Sequence, residues 1–182
     1  RQQVAANPGR FDYGSSGNGT TGHIAAALML HLMGVQAQHV PYRGSAAAFQ
    51  DLLAGRTAFQ ADTISFVTEP IRSGQVRGLV IATPERSPMI PDVPTAAEAG
   101  LPAFQATTWT PWSTTLGTPA PIRQFLYEQI AEVLKTPEVR DRLIALGNTI
   151  PEGMTPDATR AFIAAEIDKW VPIVRASGAR VD

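Results

Sequence analysis

Short extended apolar segments alternate with segments of helical periodicity through the first half of the chain. Extended segments are predicted at 11–13, 37–40, 57–61 and 77–83, and helices at 20–33, 45–54 and 65–72. This alternation is typical of a parallel sheet with helices on both faces. We therefore predict a doubly wound α/β domain, in which the apolar run at 78–82 is a central strand buried on both faces.

The ends of the first two helices are marked by polar residues and glycines. The first helix is predicted to end at Gly34, and the second to begin with Ser45 as its cap and to end at Gly55. The predicted buried residues are Ile24, Leu28, Met29 and Leu32 in the first helix and Phe49, Leu52 and Leu53 in the second.

The second half of the chain changes from a proline-rich loop to a helical pattern. Residues 83–102 are predicted to form this loop, with a short helix near 95–99, and residues 104–116 to be extended, with Trp109 and Trp112 in packing roles. Three later helices are predicted to start with a capping threonine before proline, at Thr118, Thr136 and Thr155. The last helix is predicted to turn Phe162, Ile163, Ile167, Trp170 and Val171 inward, and to kink or end at Pro172.

Composition excludes several classes of partner. The chain has 182 residues, enough for one domain or two small ones, and a formal net charge of -1 that gives no long-range attraction to nucleic acid or an anionic membrane. It has no cysteine, and His23, His31 and His39 lack the spacing of a zinc helix, so we predict no metal site. No signal-peptide pattern is present, and a start at Arg1 suggests a processed or truncated product.

A small, polar, glycine-rich segment joins the first strand to the first helix. We call residues 14–20 the glycine loop; it contains Ser15, Ser16, Gly17, Asn18, Gly19 and Thr20. The first N–H groups of a helix lack partners within the helix and carry the positive end of its dipole, so they bind anions without lysine or arginine. The glycine loop therefore predicts a site for a carboxylate or a phosphate.

Three further polar residues are candidates for this site, each with a structural alternative. His23 lies one turn into the first helix, where its ring either reaches back over the anion or packs structurally. Asp62 follows the third strand, where it either contacts a ligand or orients His23, or else caps the next helix. Arg43 either pairs with a second carboxylate, or else is solvated or braces a loop.

Catalytic and nucleotide-binding interpretations of the same glycines are weaker. Gly17, Gly19 and Gly22 match the dinucleotide fingerprint, but the acidic residue expected about 20 positions later is absent, and Arg43 stands nearby. A P-loop fails because Thr20 occupies the lysine position. The two serines also lack the glycine spacing of a nucleophile elbow. A nicotinamide-dependent enzyme remains the alternative hypothesis.

Several motifs in fixed order resemble one protein family over nearly the whole chain. They are Tyr-Gly-Ser-Ser-Gly-Asn-Gly-Thr-x-x-His at 13–23, Val-Pro-Tyr-Arg-Gly-Ser at 40–45, Asp62, Arg-Ser-Pro-x-x-Pro-Asp-Val-Pro-Thr at 86–95, Glu98-Ala99-Gly100 and Gly117-Thr118-Pro119. Together they resemble the Bug proteins, the extracytoplasmic solute receptors of tripartite tricarboxylate transporters.

This resemblance implies a periplasmic two-domain clamshell of the type II binding-protein class. Such a receptor is exported by a signal peptide, delivers a small carboxylate to a membrane permease, and has neither a catalytic role nor a cofactor. The resemblance also implies that the ligand carboxylate is held by residues 15–20 and His23, frequently through water, with Asp62 near the pocket and further contacts from an opposing glycine-rich loop.

The chain departs from the family by omission, since an N-terminal segment with that opposing loop is absent. The resemblance assigns 1–106 to a nearly complete second domain and 107–182 to the returning, mostly helical part of an incomplete first domain. The apolar faces of helices 119–135 and 155–171 would then lack their sheet, which predicts dimerisation or swapping. A third hypothesis is that this fragment binds nothing and only assembles.

Overall fold

The computed structural model describes residues 6–7 and 9–179. The chain divides into two compact units, Arg1–Thr108 with Trp170–Asp182, and Trp109–Lys169. In chain order the elements among the described residues are β1 (Asp12–Ser15), α1 (Thr21–Met33), β2 (Gln38–Pro41), α2 (Ser45–Leu53), β3 (Phe59–Gln60), α3 (Ile64–Arg72), α4 (Ala120–Lys135), α5 (Pro137–Ala145) and α6 (Pro156–Ser177).

The three strands form a parallel sheet in the order β2-β1-β3. Tyr13 of β1 lies opposite His39 of β2 on one side and Phe59 of β3 on the other. Parallel strands need crossover connections; α1 supplies the one between β1 and its neighbour β2, and α2 connects β2 to β3 on the other side of β1. The predicted α/β class is confirmed, and so are the three strands and helices α1, α2 and α3, with ends displaced by a few residues.

Helix α1 packs on two sides, since two apolar clusters meet it. Ala25 and Leu28 belong to one cluster with Ala96 and Phe104. The other cluster comprises Tyr13, Ala26 and Leu30. Ile24 and Leu28 are buried as predicted, while Met29 and Leu32 are only partly buried. This packing fixes the start of α1 beside the carboxyl ends of the strands.

The predicted central strand at 77–83 is wrong, because β1 is central and these residues form no regular strand. Ile81 makes a single bridge to Thr95, its N–H donates to the Pro94 carbonyl, and its own carbonyl accepts from Ala96. The backbone is therefore paired with loop residues instead of a neighbouring strand, and Leu79 is 65% exposed. An apolar run becomes a strand only where a ladder partner exists.

Several predicted helix details are also corrected. The residue that precedes α2 is Gly44, at φ 103°, so Ser45 is its first helical residue and not its cap. Leu53 is exposed instead of buried. The short helix predicted near 95–99 is a turn, in which the Thr95 hydroxyl accepts from the Glu98 N–H and the Glu98 carboxylate accepts from the Thr95 N–H. Residues 104–115 carry no regular strand.

Of the three predicted threonine caps, only Thr155 acts as one. Its hydroxyl oxygen accepts the N–H of Ala158 at 3.2 Å, at the start of α6. Thr136 precedes α5, but its hydroxyl donates backward to the Val133 carbonyl at 2.7 Å. Helix α4 begins after Pro119, so Thr118 lies outside it. Helix α6 does not end at Pro172 but continues to Ser177.

Many apolar side chains of the three last helices are exposed, contrary to the inward orientation predicted for part of α6. The exposed ones are Ile122, Phe125, Leu126, Val133, Ile144, Phe162, Ile167, Val171 and Val174. Trp112 is exposed as well, whereas Trp109 donates its indole N–H to Glu166 at 3.2 Å and packs edge-on against Phe162. No helix among the described residues is long and apolar enough to cross a membrane.

We expect Thr155→Ala to lower the free energy of unfolding of the unit Trp109–Lys169 by about 1 kcal/mol, because it removes a helix N-cap. Thr136→Ala is the matched control, since this threonine precedes proline in the same way but does not cap its helix. Urea denaturation followed by circular dichroism measures both variants. Equal losses would show that the Thr155 hydroxyl does not stabilise α6.

Candidate functional site

The glycine loop leads from the carboxyl end of β1 into α1. Gly17 and Gly19 have φ values of 149° and 73°, a region where a side chain is strained, so the loop's path depends on glycine at both positions. Asn18 and Gly19 are exposed at the tip, and Ser16, Gly17 and Thr20 are partly buried. The loop therefore presents backbone to solvent at the edge where α/β sheets gather ligands.

The first turn of α1 has no side-chain cap. Thr20 occupies the cap position, but its hydroxyl donates to the Gly17 carbonyl at 2.8 Å, which stabilises the loop instead of the helix amides. Within a helix the first N–H groups have no acceptor, and they carry the positive end of the dipole. The geometry thus provides amide donors for an anion.

Gly22 allows α1 to lie against the end of the sheet. A Cβ atom at this position would collide with the carbonyl oxygen of Ala61, which follows β3. This close approach is the role that the third glycine has in fingerprints of this type, where a helix packs tightly on a strand. The start of α1 is therefore fixed relative to the strand ends.

Ser15, near the start of the glycine loop, is fully buried. Its hydroxyl donates to the Gly17 carbonyl at 2.9 Å and accepts the Gly17 N–H at 3.2 Å. The same oxygen lies 2.7 Å from Nε2 of His39. The hydrogen bonds of Ser15 thus fix the backbone of Gly17.

His23 is 2% exposed, and its ring contacts the glycine loop. Its Nδ1 accepts the N–H of Gly19 at 3.1 Å, so this loop amide is already hydrogen-bonded to the histidine. The ring stacks on that of His39 with centroids 3.7 Å apart and an interplanar angle of 6°. Burial lowers the pKa of His23.

His39 contacts both Ser15 and His23, and sequence reasoning did not place it in the site. It lies on β2 opposite Tyr13, and the two rings stack at 5.0 Å. Burial, and then the charge of His23, lower the pKa of His39 to about 4, so it is neutral at pH 7. Burial also raises the pKa of Tyr13 to about 12. The sequence signal was its place in a predicted strand, three residues before the Tyr42-Arg43-Gly44 segment.

Asp62 follows β3 and makes two local hydrogen bonds. Its carboxylate accepts from the Gln60 side-chain amide at 2.7 Å and from the Thr63 N–H at 2.8 Å. The described contacts do not join Asp62 to His23, and the helix that follows has Thr63 at its cap position without a side-chain bond. Gln60 keeps a buried carbonyl oxygen without a partner among the described residues.

The segment after β2 is brought beside the glycine loop. Tyr42 and Gly44 donate their N–H groups to the carbonyls of Ser15 and Ser16, each at 3.0 Å. The Tyr42 hydroxyl donates to Asp51 at 2.7 Å, and this bond, followed by the bond from Arg56, lowers the pKa of Asp51. Arg43 is exposed between these anchored residues. The described residues contain no cluster of three potential metal ligands.

Comparison with known proteins places this geometry in one family. Residues 2–179 match the tripartite tricarboxylate transporter family receptor, TctC. The protein BugT of Bordetella pertussis is 37% identical over 98% of this chain and 55% of its own length. A Rhodopseudomonas palustris protein solved with adipate superposes with a TM-score of 0.81 at 30% identity, over 98% of this chain and 59% of its own.

A second solved structure, MatC from Rhodopseudomonas palustris with bound malate, has a TM-score of 0.75 at 34% identity, over 91% of this chain and 57% of its own. The chain thus spans about half the length of the curated relatives it matches. The family and the fold agree with the resemblance found in the sequence. The chain therefore belongs to the TctC/Bug family of solute-binding receptors.

Proposed function

We propose that this chain contributes the carboxylate-capturing half of a periplasmic solute-binding protein, which delivers a small organic acid to the permease of a tripartite tricarboxylate transporter. The observation that carries the proposal is the uncapped start of α1 behind the glycine loop. Two relatives of similar fold were solved with the dicarboxylates adipate and malate. Backbone amides suit such ligands because they bind a carboxylate without a cationic side chain.

The proposed site has two layers. Ser16, Gly17, Asn18, Gly19 and Thr20 form the layer that meets the carboxylate, directly or through water. Ser15 and His23 support that layer from below through Gly17 and Gly19. Asp62 is proposed to bind a hydroxyl group of the ligand at the end of β3.

Isothermal calorimetry of the full-length gene product tests this function. The panel contains malate, adipate, citrate, an aromatic acid, an amino acid and NADPH. Micromolar binding of at least one carboxylate without binding of NADPH would support a receptor. Binding of the nucleotide alone would instead favour the dinucleotide interpretation of Gly17, Gly19 and Gly22.

We expect Thr20→Val to weaken carboxylate binding by about 1–3 kcal/mol, because the Gly17 carbonyl loses one of its two hydroxyl donors inside the site. Thr21→Val is the matched control, since Thr21 is the next residue and is exposed at the first helical position. Calorimetry with the tightest ligand of the panel measures both. Equal affinities for the two variants would remove the Thr20 hydroxyl from the proposed site.

Self-association is part of the proposal, motivated by the exposed apolar side chains of α4, α5 and α6. Such side chains are normally covered when they are contiguous. Light scattering of the 182-residue chain at micromolar concentration tests it, and the mass of one chain would argue against a dimer.

A further inference from the structure

We propose that His39 is a positioning residue of the carboxylate site and that it acts through Ser15, on which the path of the glycine loop depends. The inference rests on the proposed function for its ligand but not for its geometry. His39 belongs to β2, and its Nε2 lies 2.7 Å from the hydroxyl oxygen of the buried Ser15, so its contact with the loop runs through a buried residue.

The first step is the assignment of protons around Ser15. The serine has one hydroxyl proton, and its contact with the Gly17 carbonyl at 2.9 Å uses that proton. The Gly17 N–H and His39 Nε2 then both face the serine oxygen as an acceptor, at 3.2 and 2.7 Å. His39 therefore donates from Nε2, a tautomer assigned from the hydrogen-bond network.

The second step is that two backbone groups of Gly17, its N–H and its carbonyl, both bind one buried atom. The serine oxygen binds the N–H and the carbonyl of the same glycine, whose φ of 149° is open mainly to glycine. The Gly17 carbonyl also accepts from the Thr20 hydroxyl. Displacement of Ser15 would therefore move both Gly17 and the cap position of α1.

The third step is that the histidine ring is itself held firmly. It stacks against Tyr13 at 5.0 Å and against His23 at 3.7 Å, and Tyr13 also stacks on Phe59 at 5.3 Å. His23 in turn accepts the Gly19 N–H. The two stacked rings thus hold Gly17 and Gly19, the two positions that shape the glycine loop.

The two functions of His39, donating a hydrogen bond and filling space, can be separated by substitution. His39→Gln keeps an N–H donor near the position of Nε2 but loses the ring. His39→Phe keeps the stacked ring but loses the donor. Ser15→Ala removes the acceptor with the smallest change of volume, and His31→Phe is the control, because His31 is exposed on α1.

The test measures the full-length gene product by calorimetry with malate and adipate, and by amide hydrogen exchange at Gly17 without ligand. We expect His39→Phe and Ser15→Ala each to weaken binding about tenfold or more and to accelerate Gly17 exchange, as the loss of a buried hydrogen bond predicts. The double variant should be no worse than either single one. His39→Gln and His31→Phe should stay within about threefold of the parent protein.

Two results would overturn the inference. In one, His39→Phe binds and protects Gly17 as the parent protein does. In the other, His39→Gln is impaired as much as His39→Phe, which would show that an N–H donor at this position does not by itself hold Ser15. If the parent protein binds neither acid, the proposed ligand class fails, and exchange at Gly17 still decides whether His39 positions the loop. If His39→Phe does not fold, Ser15→Ala decides by the same two measurements.

Discussion

Replacing Gly22 by alanine is expected to lower the free energy of unfolding by about 2 kcal/mol and to abolish most carboxylate binding. The added Cβ would meet the carbonyl oxygen of Ala61, which is backbone and cannot rotate away. Helix α1 or the end of β3 must therefore shift, and the first amides of α1 shift with it. Urea denaturation and calorimetry measure the two effects.

The sign of this effect makes the experiment decisive. In an unobstructed helix, alanine is favoured over glycine by about 1 kcal/mol, so Gly22→Ala would then stabilise the protein. Thr21→Ala is the control for the same helix turn, because Thr21 is exposed. A stabilised Gly22→Ala variant with normal affinity would contradict the close packing of α1 on the end of β3.

The alternating elements of the first half could be predicted because their signals are local. Glycines at 34 and 55 follow the first two helices, and the apolar residues within each helix are spaced with the helical period. The run at 78–82 misled the same reasoning, since its composition cannot reveal whether a ladder partner is present. Its hydrogen bonds to the carbonyl of Pro94 and the N–H of Ala96 come from a proline-rich loop that carries no strand pattern.

Part of the candidate site could likewise be predicted from the sequence, and part could not. The glycine loop was recognisable because glycine, serine and threonine between a strand and a helix have a direct backbone meaning. The residues that support the loop could not be recognised in the same way, because the stack of His39 on Tyr13 depends on the register between β1 and β2. Likewise, only the folded structure reveals that Ser15 is turned inward to His39 instead of outward to a ligand.

The stacked histidines also make the stability of the protein sensitive to acid. The pKa of His39 falls from 6.5 to about 4 on folding, first through burial and then through the charge of His23, whose own pKa is also lowered by burial. The unfolded chain therefore binds more protons than the folded one between these values, and stability falls as the pH decreases. Tyr13 and Phe59, which complete the stack, carry no charge in this range.

We expect the free energy of unfolding to fall by about 2–3 kcal/mol between pH 7 and pH 4 through His39, since one pKa unit corresponds to about 1.4 kcal/mol. Nδ1 of His23 cannot accept the Gly19 N–H once it is protonated, so carboxylate affinity should decline as acid protonates His23. Urea denaturation at stepped pH measures the first effect and calorimetry the second.

Carboxylates such as Asp51, whose pKa is lowered by Tyr42, lose their contribution at lower pH. His39→Phe should therefore flatten the dependence between pH 6.5 and 4, whereas His31→Phe should not, and equal slopes in both variants would assign the acid sensitivity to other groups.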